Sequence, residues 1–310
     1  MSSSEPDIQL TIAGTGAMAC LLGARLSSVA RVTLTGTWSD GIEAVRRGGI
    51  VVEDSRGCRV ARVSAIPWSQ RADPADLVLI LVKAWQTERV ARGLLSLLKP
   101  EGIALTLQNG LGNLEALGPR TCLGVTYLGA TQLGPGRVRP GGTGPTWIAG
   151  PGWVVDLFRR AGIPAEHGPA GQVDGMLWGK LATNCGINAL TALLRIRNGE
   201  LLERPAATDL LRRAASECAA VAQASGVSLP FPDAAEKACE VARLTADNLS
   251  SMLQDVLRGA RTECEAINGA LVRQGERVGV PTPVNEVLLG LLRALIPASF
   301  DACGAPGGQS

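Results

Sequence analysis

The chain is poor in the residues that most often move protons. Its 310 residues include a single histidine, His167, and a single tyrosine, Tyr127, and aromatic residues make up only 3% of the whole. Acid–base chemistry therefore falls to another side chain, and the cores must be filled by aliphatic residues and alanine. Eight cysteines (20, 58, 122, 185, 218, 239, 264 and 303) contain no CxxC pair and no regular spacing. That excludes a zinc ribbon or a disulfide-stapled scaffold and suggests reduced thiols in a cytoplasmic protein. Neither sign of charge forms a long block, and 30 Lys plus Arg stand against 28 Asp plus Glu. General electrostatic attraction to nucleic acid or to a membrane surface is thus not expected. The longest apolar runs, such as LVLILV at 77–82, are strand-sized and far below the roughly 20 residues that cross a bilayer. The polar, acidic start MSSSEPD does not resemble a secretory or transit leader, and the end, ACGAPGGQS, reads as a frayed tail.

The length suits two domains of ordinary size, and 46% hydrophobic against 19% charged residues suffices to fill their cores. IQLTIAG (8–14), a small-residue helical stretch to about Ser28 and RVTLTG (31–36) read as β-α-β. ADLVLILVKAW (75–85) is a continuous apolar run of the kind buried on both faces of a parallel sheet, with GIALTLQNG (102–110) a weaker second case. Ligands of such sheets sit at the carboxyl ends of the strands, so Gly14, Lys83 and Asn109 are expected to approach one crevice. Between 121 and 150, short runs interrupted by Gly, Pro and Thr predict hairpins extending the sheet. PAEHGPAGQ (164–172) reads as the linker, and helical periods dominate thereafter through 172–194, 205–226, 233–246, 252–279 and 284–297.

GTGAMA (14–19) matches G-x-G-x-x-[G/A] where the first strand meets the first helix. Gly14 supplies a tight turn, Gly16 lets backbone approach a pyrophosphate, Ala19 keeps helix and strand close, and the helix N-terminus offers N–H groups to the anion. The expected fold is α/β: a Rossmann-like doubly wound N-terminal domain (1–170) followed by an all-helical C-terminal domain (171–310). The second strand of such folds delivers a carboxylate for a ribose 2′-OH or an arginine for a 2′-phosphate. Here it offers Thr35, Gly36 and Thr37, with Asp40 a little beyond and Arg46 and Arg47 further still, so the choice between NADP and NAD stays open.

WGKLATNCGIN (178–188) carries Lys180, Asn184 and Asn188 at intervals of four in an otherwise apolar or small-residue helix. At about 100° and about 1.5 Å per residue they form one stripe roughly 12 Å long. A helix apolar all round is normally interior, so the stripe is expected to line a cleft rather than face bulk water. Lys180 suits proton donation to a carbonyl oxygen if its surroundings lower its pKa toward working pH, and Asn184 and Asn188 suit hydroxyl or carboxylate groups of a small substrate. Asn248, Ser250 and Ser251 form a helix N-cap cluster for which capping alone is an equal reading. Glu263 and Asn268 fall within the long helix expected over 252–279, where Glu263 has Arg258 and Arg261 as possible surface partners.

LVKAWQ, QNGLG, WGKLATNCGINALTAL, NGEL (198–201), NLSSMLQD and RTECEAINGAL together resemble the ketopantoate reductase (2-dehydropantoate 2-reductase) family, in order and nearly end to end. The resemblance implies an NADPH-dependent reduction of the ketone of ketopantoate to pantoate, on the route to pantothenate and coenzyme A. It implies that Gly14, Thr15, Gly16, Ala17, Met18 and Ala19 hold the diphosphate, with Lys83, Asn109 and the backbone at Ala130 beside the cofactor. It further implies Lys180 as the proton donor and Asn109, Asn184, Asn188 and Asn198 as substrate contacts. The Asn248–Ser251 segment, Ser250 included, would close over the substrate, with the Ser251 hydroxyl on its carboxylate, and Glu263 would meet the cofactor ribose and set the charge around Lys180. The chain departs from the family in lacking the arginine usual after the second strand, so NAD is admitted beside NADP. A reductase of another branched 2-oxo acid and a non-catalytic nicotinamide-sensing protein are the competing readings, and the helical domain is compatible with a homodimer.

Overall fold

In the computed structural model, residues 8–295 are described. The MSSSEPD start, Cys303 and the end segment read as a tail lie outside them. The chain divides into two units, one comprising residues through Gln108 together with Gly112–Val173, the other Asn109–Leu111 together with the chain from Asp174.

The first unit opens with β1 (Gln9–Ala13), α1 (Ala17–Leu26) and β2 (Arg31–Gly36), the β-α-β expected from the sequence. It continues through α2 (Ser39–Gly48), β3 (Ile50–Asp54), β4 (Gly57–Ala61), β5 (Ser64–Pro67), β6 (Ala75–Ile80), α3 (Thr87–Leu97) and β7 (Leu98–Thr106). It ends with α4 (Asn113–Leu117), β8 (Thr121–Thr126), β9 (Ala130–Gly134), β10 (Arg137–Pro140), β11 (Thr146–Ala149), α5 (Gly152–Arg160) and β12 (Ala165–His167). An eight-stranded sheet runs β12-β11-β8-β7-β6-β1-β2-β5. Its pairs are parallel except β8 with β11.

The apolar run of β6 shows why such strands need no polar face. Leu77 and Leu79 point into one core with Leu10, Ile12 and the α1 residues Leu21 and Leu22, while Val78 and Ile80 point into a second with Val90, Leu94 and Leu97 of α3. Each side chain so removed from water is worth about 1.5–3 kcal/mol, so a strand buried on both faces is held by both cores.

The region 121–150 departs from its expected role. β8 and β11 do extend the main sheet, but β9 and β10 instead join β3 and β4 in a separate four-stranded sheet of order β4-β3-β10-β9. Val52 and Val138, paired in register, bury one face of it in the core that holds α1, while Arg137 and Arg139 of β10 reach Glu53 of β3 at 3.1 and 2.6 Å. The segment read as a linker contributes β12, an edge strand whose Ala165 is buried beside Ile163.

The second unit is helical: α6 (Ala170–Leu194), α7 (Pro205–Ala224), α8 (Ala234–Leu244), α9 (Ser251–Leu257), α10 (Asn268–Val278) and α11 (Pro283–Leu295). α6, whose first residues precede the unit's boundary, supplies Leu181, Ala182, Cys185, Ala189 and Ala192 to a core shared with Leu211, Ala215 and Cys218 of α7 and Leu271, Leu288 and Leu292 beyond. Local chemistry sets the helix starts: Asp233 accepts the Glu236 N–H at 2.9 Å to cap α8, and Glu217 accepts the Val284 and Asn285 N–H groups at 2.8 and 3.0 Å to cap α11. The single helix expected over 252–279 is broken. Gly259 takes φ +63° after α9, and a buried turn carrying Thr262, Glu263 and Cys264 intervenes before α10. Among the described residues no helix is long and apolar enough to cross a membrane.

Candidate active site

In the first unit, the sequence-predicted glycine turn lies at the carboxyl end of β1. Gly14 adopts φ +136°, and a Cβ there would lie 3.1 Å from the Leu81 carbonyl, so the turn requires glycine twice over. Around Gly16 the reverse holds: no atom lies within 4 Å of an added Cβ, so its face opens onto space. Gly16 is the N-cap residue of α1 and supplies no side-chain cap, and the first turn of α1 holds no acidic residue. The first N–H groups of a helix have no intrahelical partner, and together with the dipole they favour an anion. Thr15 and Ala19 are buried, while Ala17 and Met18 are partly so. Lys83 follows β6, the parallel neighbour of β1, and leads into a 3-10 turn over Ala84–Gln86. Ala130 opens β9, which packs on α1. These residues fit a dinucleotide diphosphate: a tight turn, an unobstructed backbone and an uncapped helix end.

The end of β2 differs from the arginine-bearing pattern. Thr37 accepts a hydrogen bond from Gln86 Nε2 at 3.2 Å, Asp40 lies in the first turn of α2, and the basic residues of that helix, Arg46 and Arg47, lie in its last turn.

In the second unit, α6 carries Lys180, Asn184 and Asn188. Lys180 and Asn184 are half-buried and Asn188 is buried. Burial, the larger effect, lowers the Lys180 pKa to about 8, against an opposing pull upward from the Glu263 carboxylate. Glu263 is itself 8% exposed. Asn188 Nδ2 and Asn198 Oδ1 are buried with no hydrogen-bond partner, one an orphan donor and the other an orphan acceptor. Buried polar atoms are nearly always paired, and these two orphans belong to residues already expected to meet substrate, so they are candidates for pairing with ligand or solvent atoms. Asn198 is held by its other groups, its Nδ2 donating to Thr245 Oγ1 at 2.9 Å and its N–H to the Asn248 carbonyl at 3.1 Å.

The serines divide by role. Ser250 is buried and caps α9, its Oγ accepting the Leu253 N–H at 3.1 Å and lying 2.7 Å from Thr191 Oγ1. Ser251 and Asn248 are exposed. Asn109 belongs to the helical unit through its neighbours: Leu111 N–H donates to the Ala266 carbonyl at 3.0 Å, and Gly110, at φ +83°, comes so near that a Cβ would lie 2.1 Å from the same oxygen. The sequence reading missed Gly110 and Thr191. Thr191 stands three residues beyond Asn188 in the same apolar helix, the one signal that pointed to it. Glu263 occupies the turn before α10 rather than a helical surface, which removes the reading of it as an exposed helix carboxylate.

Comparison with known proteins agrees with these features. The family described as ketopantoate reductase PanE/ApbA matches residues 10–152, and the ketopantoate reductase PanE/ApbA C-terminal family matches residues 172–296. The chain is 35% identical to the 2-dehydropantoate 2-reductase of Archaeoglobus fulgidus, over 93% of this chain and 97% of that one. Its fold superposes with a TM-score of 0.84 on the PanE/ApbA family ketopantoate reductase of Ralstonia eutropha JMP134, at 32% identity, covering 93% of this chain and 98% of that one. With the same coverages, it superposes at 0.86 and 26% identity on D-mandelate dehydrogenase solved with NADH and anilino(oxo)acetate. An α/β unit with a glycine turn, a helical unit with a half-buried lysine and two family matches that together span nearly the whole described chain lead to one conclusion: the chain belongs to the ketopantoate reductase PanE/ApbA family of oxidoreductases.

Proposed function

We propose that this protein reduces the ketone of 2-dehydropantoate to (R)-pantoate with a reduced nicotinamide dinucleotide. The observation that carries the reading is the α6 stripe, where an ammonium with a pKa of about 8 shares a helix face with carboxamides, one of them with a buried, unpaired donor. When bound, the cofactor supplies the hydride to the carbonyl carbon. Gly14–Ala19, Lys83 and Ala130 suit its binding in the first unit. Lys180 holds the proton that the carbonyl oxygen takes up, and Glu263 keeps that proton in place near neutral pH by its charge. Asn109, Asn184, Asn188, Asn198 and the Asn248–Ser251 segment are assigned to the substrate, with Ser250 acting through the cap of α9 while Ser251 and Asn248 remain accessible. The unpaired donor at Asn188 and the unpaired acceptor at Asn198 each leave a hydrogen-bonding position that a polar substrate group suits.

NADH suits the end of β2 better than NADPH. A 2′-phosphate placed near Asp40, with the arginines of α2 in its last turn, meets an acid rather than a cation, whereas a ribose 2′-OH finds an acceptor there. D-mandelate dehydrogenase, similar in fold, was solved with NADH.

That likeness favours a second reading, a reductase of another 2-oxo acid, since the bound anilino(oxo)acetate carries an aryl group. The buried unpaired amides argue against it, because a site built to pair polar groups rejects an analogue that leaves them unpaired, by up to about 10⁴–10⁵-fold. Turnover measured by the absorbance of reduced cofactor, crossing NADH and NADPH with 2-dehydropantoate, phenylglyoxylate and unhydroxylated branched 2-oxo acids, decides between them. The highest kcat/KM is expected with 2-dehydropantoate and NADH. Preference for an unhydroxylated acid would sink the substrate assignment.

A further inference from the structure

Asn268, the first residue of α10, is 0% exposed, and its amide is divided in its fortunes. Nδ2 spends both hydrogens, on the Cys185 carbonyl of α6 at 2.8 Å and on Asn285 Oδ1 at 3.0 Å, while Oδ1 is buried with no partner. Turning the amide over would set Oδ1 against two acceptors, so its orientation is fixed. An apolar residue of the same shape would avoid the cost of the orphan acceptor, so what the amide contributes is its two donor bonds. Neither is isolated. Asn285 in turn donates to the Ala214 carbonyl at 3.2 Å and to Glu217 Oε2 at 2.7 Å on α7. One chain of hydrogen bonds thus joins α6, α7, α11 and the start of α10.

The attachment point on α6 is the residue after Asn184, and the attached segment carries Glu263. Between Glu263 and α10 the turn is closed on itself: the Glu263 carbonyl accepts from Ala266 and Ile267 N–H groups at 3.0 and 3.1 Å, and the Cys264 carbonyl accepts from Gly269 at 2.9 Å. A turn so cross-linked moves with its end. We propose that Asn268 is a positioning residue that fixes the register of the 261–267 turn, and so of Glu263, against the Lys180–Asn184–Asn188 stripe. The proposal rests on the reading of Lys180 as proton donor. The charged side chains on these elements are Asp174 and Lys180 on α6, Arg261, Glu263 and Glu265 in the turn, and Arg273, Glu276 and Arg277 on α10. Glu265 is paired with Arg293 at 2.6 Å, and Glu263 is the carboxylate whose charge acts on Lys180.

The test is the pH profile of kcat/KM for Asn268→Ala and Asn268→Ser, alone and combined with Glu263→Gln, beside Lys180→Ala. Loosening the turn weakens the upward pull on Lys180, so the alkaline limb is expected to move to lower pH by about half a unit or more. Displacing the carboxylate, and with it the Ala266 carbonyl that accepts from Leu111 beside Asn109, is expected to cost about tenfold in kcat/KM at neutral pH. Adding Asn268→Ala to Glu263→Gln should move the limb no further. If the variants lower the melting temperature but leave the limb at its wild-type position, or if the shift is additive with Glu263→Gln, Asn268 does not act through Glu263. The serine variant, with its smaller loss of packing and polarity, carries the test should the alanine variant fail to fold. A limb that persists in Lys180→Ala would instead refute the assignment of the proton donor, and so separates the two failures.

Discussion

Taking an ammonium out of water lowers its pKa, and setting a carboxylate near it raises the value again; at Lys180 burial wins and leaves it at about 8. The sign of the pH dependence follows. A proton donor must be charged, so kcat/KM for ketone reduction is expected to be level below about pH 8 and to fall above it as the ammonium is lost, whereas alcohol oxidation should gain through the same interval. Glu263→Gln removes the pull that raises the value, so the limb should move below that of the wild type. Lys180→Ala should lower kcat by roughly 10²-fold or more, the usual cost of losing a positioned acid. Rates with reduced cofactor across a pH series check all three, and near-native turnover in Lys180→Ala would dismiss the lysine. In the sequence Lys180 stands out as the one charged side chain of 176–194, and a lowered pKa is the condition of its role as donor. The orphan atoms of Asn188 and Asn198 were not legible, since pairing is settled by neighbours remote in sequence such as Thr245.

At the scale of elements, a side-chain hydrogen bond links α6, which carries the substrate stripe, to the start of α9, the lid candidate. Thr191 lies one turn past Asn188, and its hydroxyl meets the Ser250 oxygen that caps α9. Thr191→Val keeps the shape and removes the contact, so a loss of about 1 kcal/mol in stability is expected. Because Asn248 and Ser251 flank the cap, KM for the ketoacid should rise more than kcat falls. Denaturant melts and initial rates together read this, and an unchanged KM would confine Thr191 to a structural part. The same scale shows what the sequence hid. The β1-α1-β2 and β6 patterns were legible because both faces of those strands are buried in apolar cores. The second sheet was not: β4 is nearly all exposed, and β9 and β10 are short, so neither a continuous run nor a clean alternation marks them. The turn 258–267 reads as helix in the sequence because Glu263 and Ile267, both buried, stand four residues apart, while Gly259 is its stop signal.

For the molecule as a whole, the two units hold different chemistry and should fail separately. Gly14 and Gly16 stand two residues apart in the first unit, yet the space around them differs. Alanine at 14 must adopt φ +136° and meet the Leu81 carbonyl, so Gly14→Ala is expected to destabilise the unit itself, by more than about 1 kcal/mol. Alanine at 16 meets no protein atom within 4 Å. Gly16→Ala should therefore melt like the wild type without cofactor and lose most of the upward shift that NADH gives, since that shift follows the affinity of the folded state. Lys180→Ala, in the helical unit, should show the converse, keeping the NADH-dependent shift while losing turnover. Melting curves with and without NADH, set beside turnover for the three variants, make the comparison. If Gly16→Ala keeps both the shift and KM for the cofactor, the open face at Gly16 is not where the diphosphate lies, and the glycine turn is only a turn.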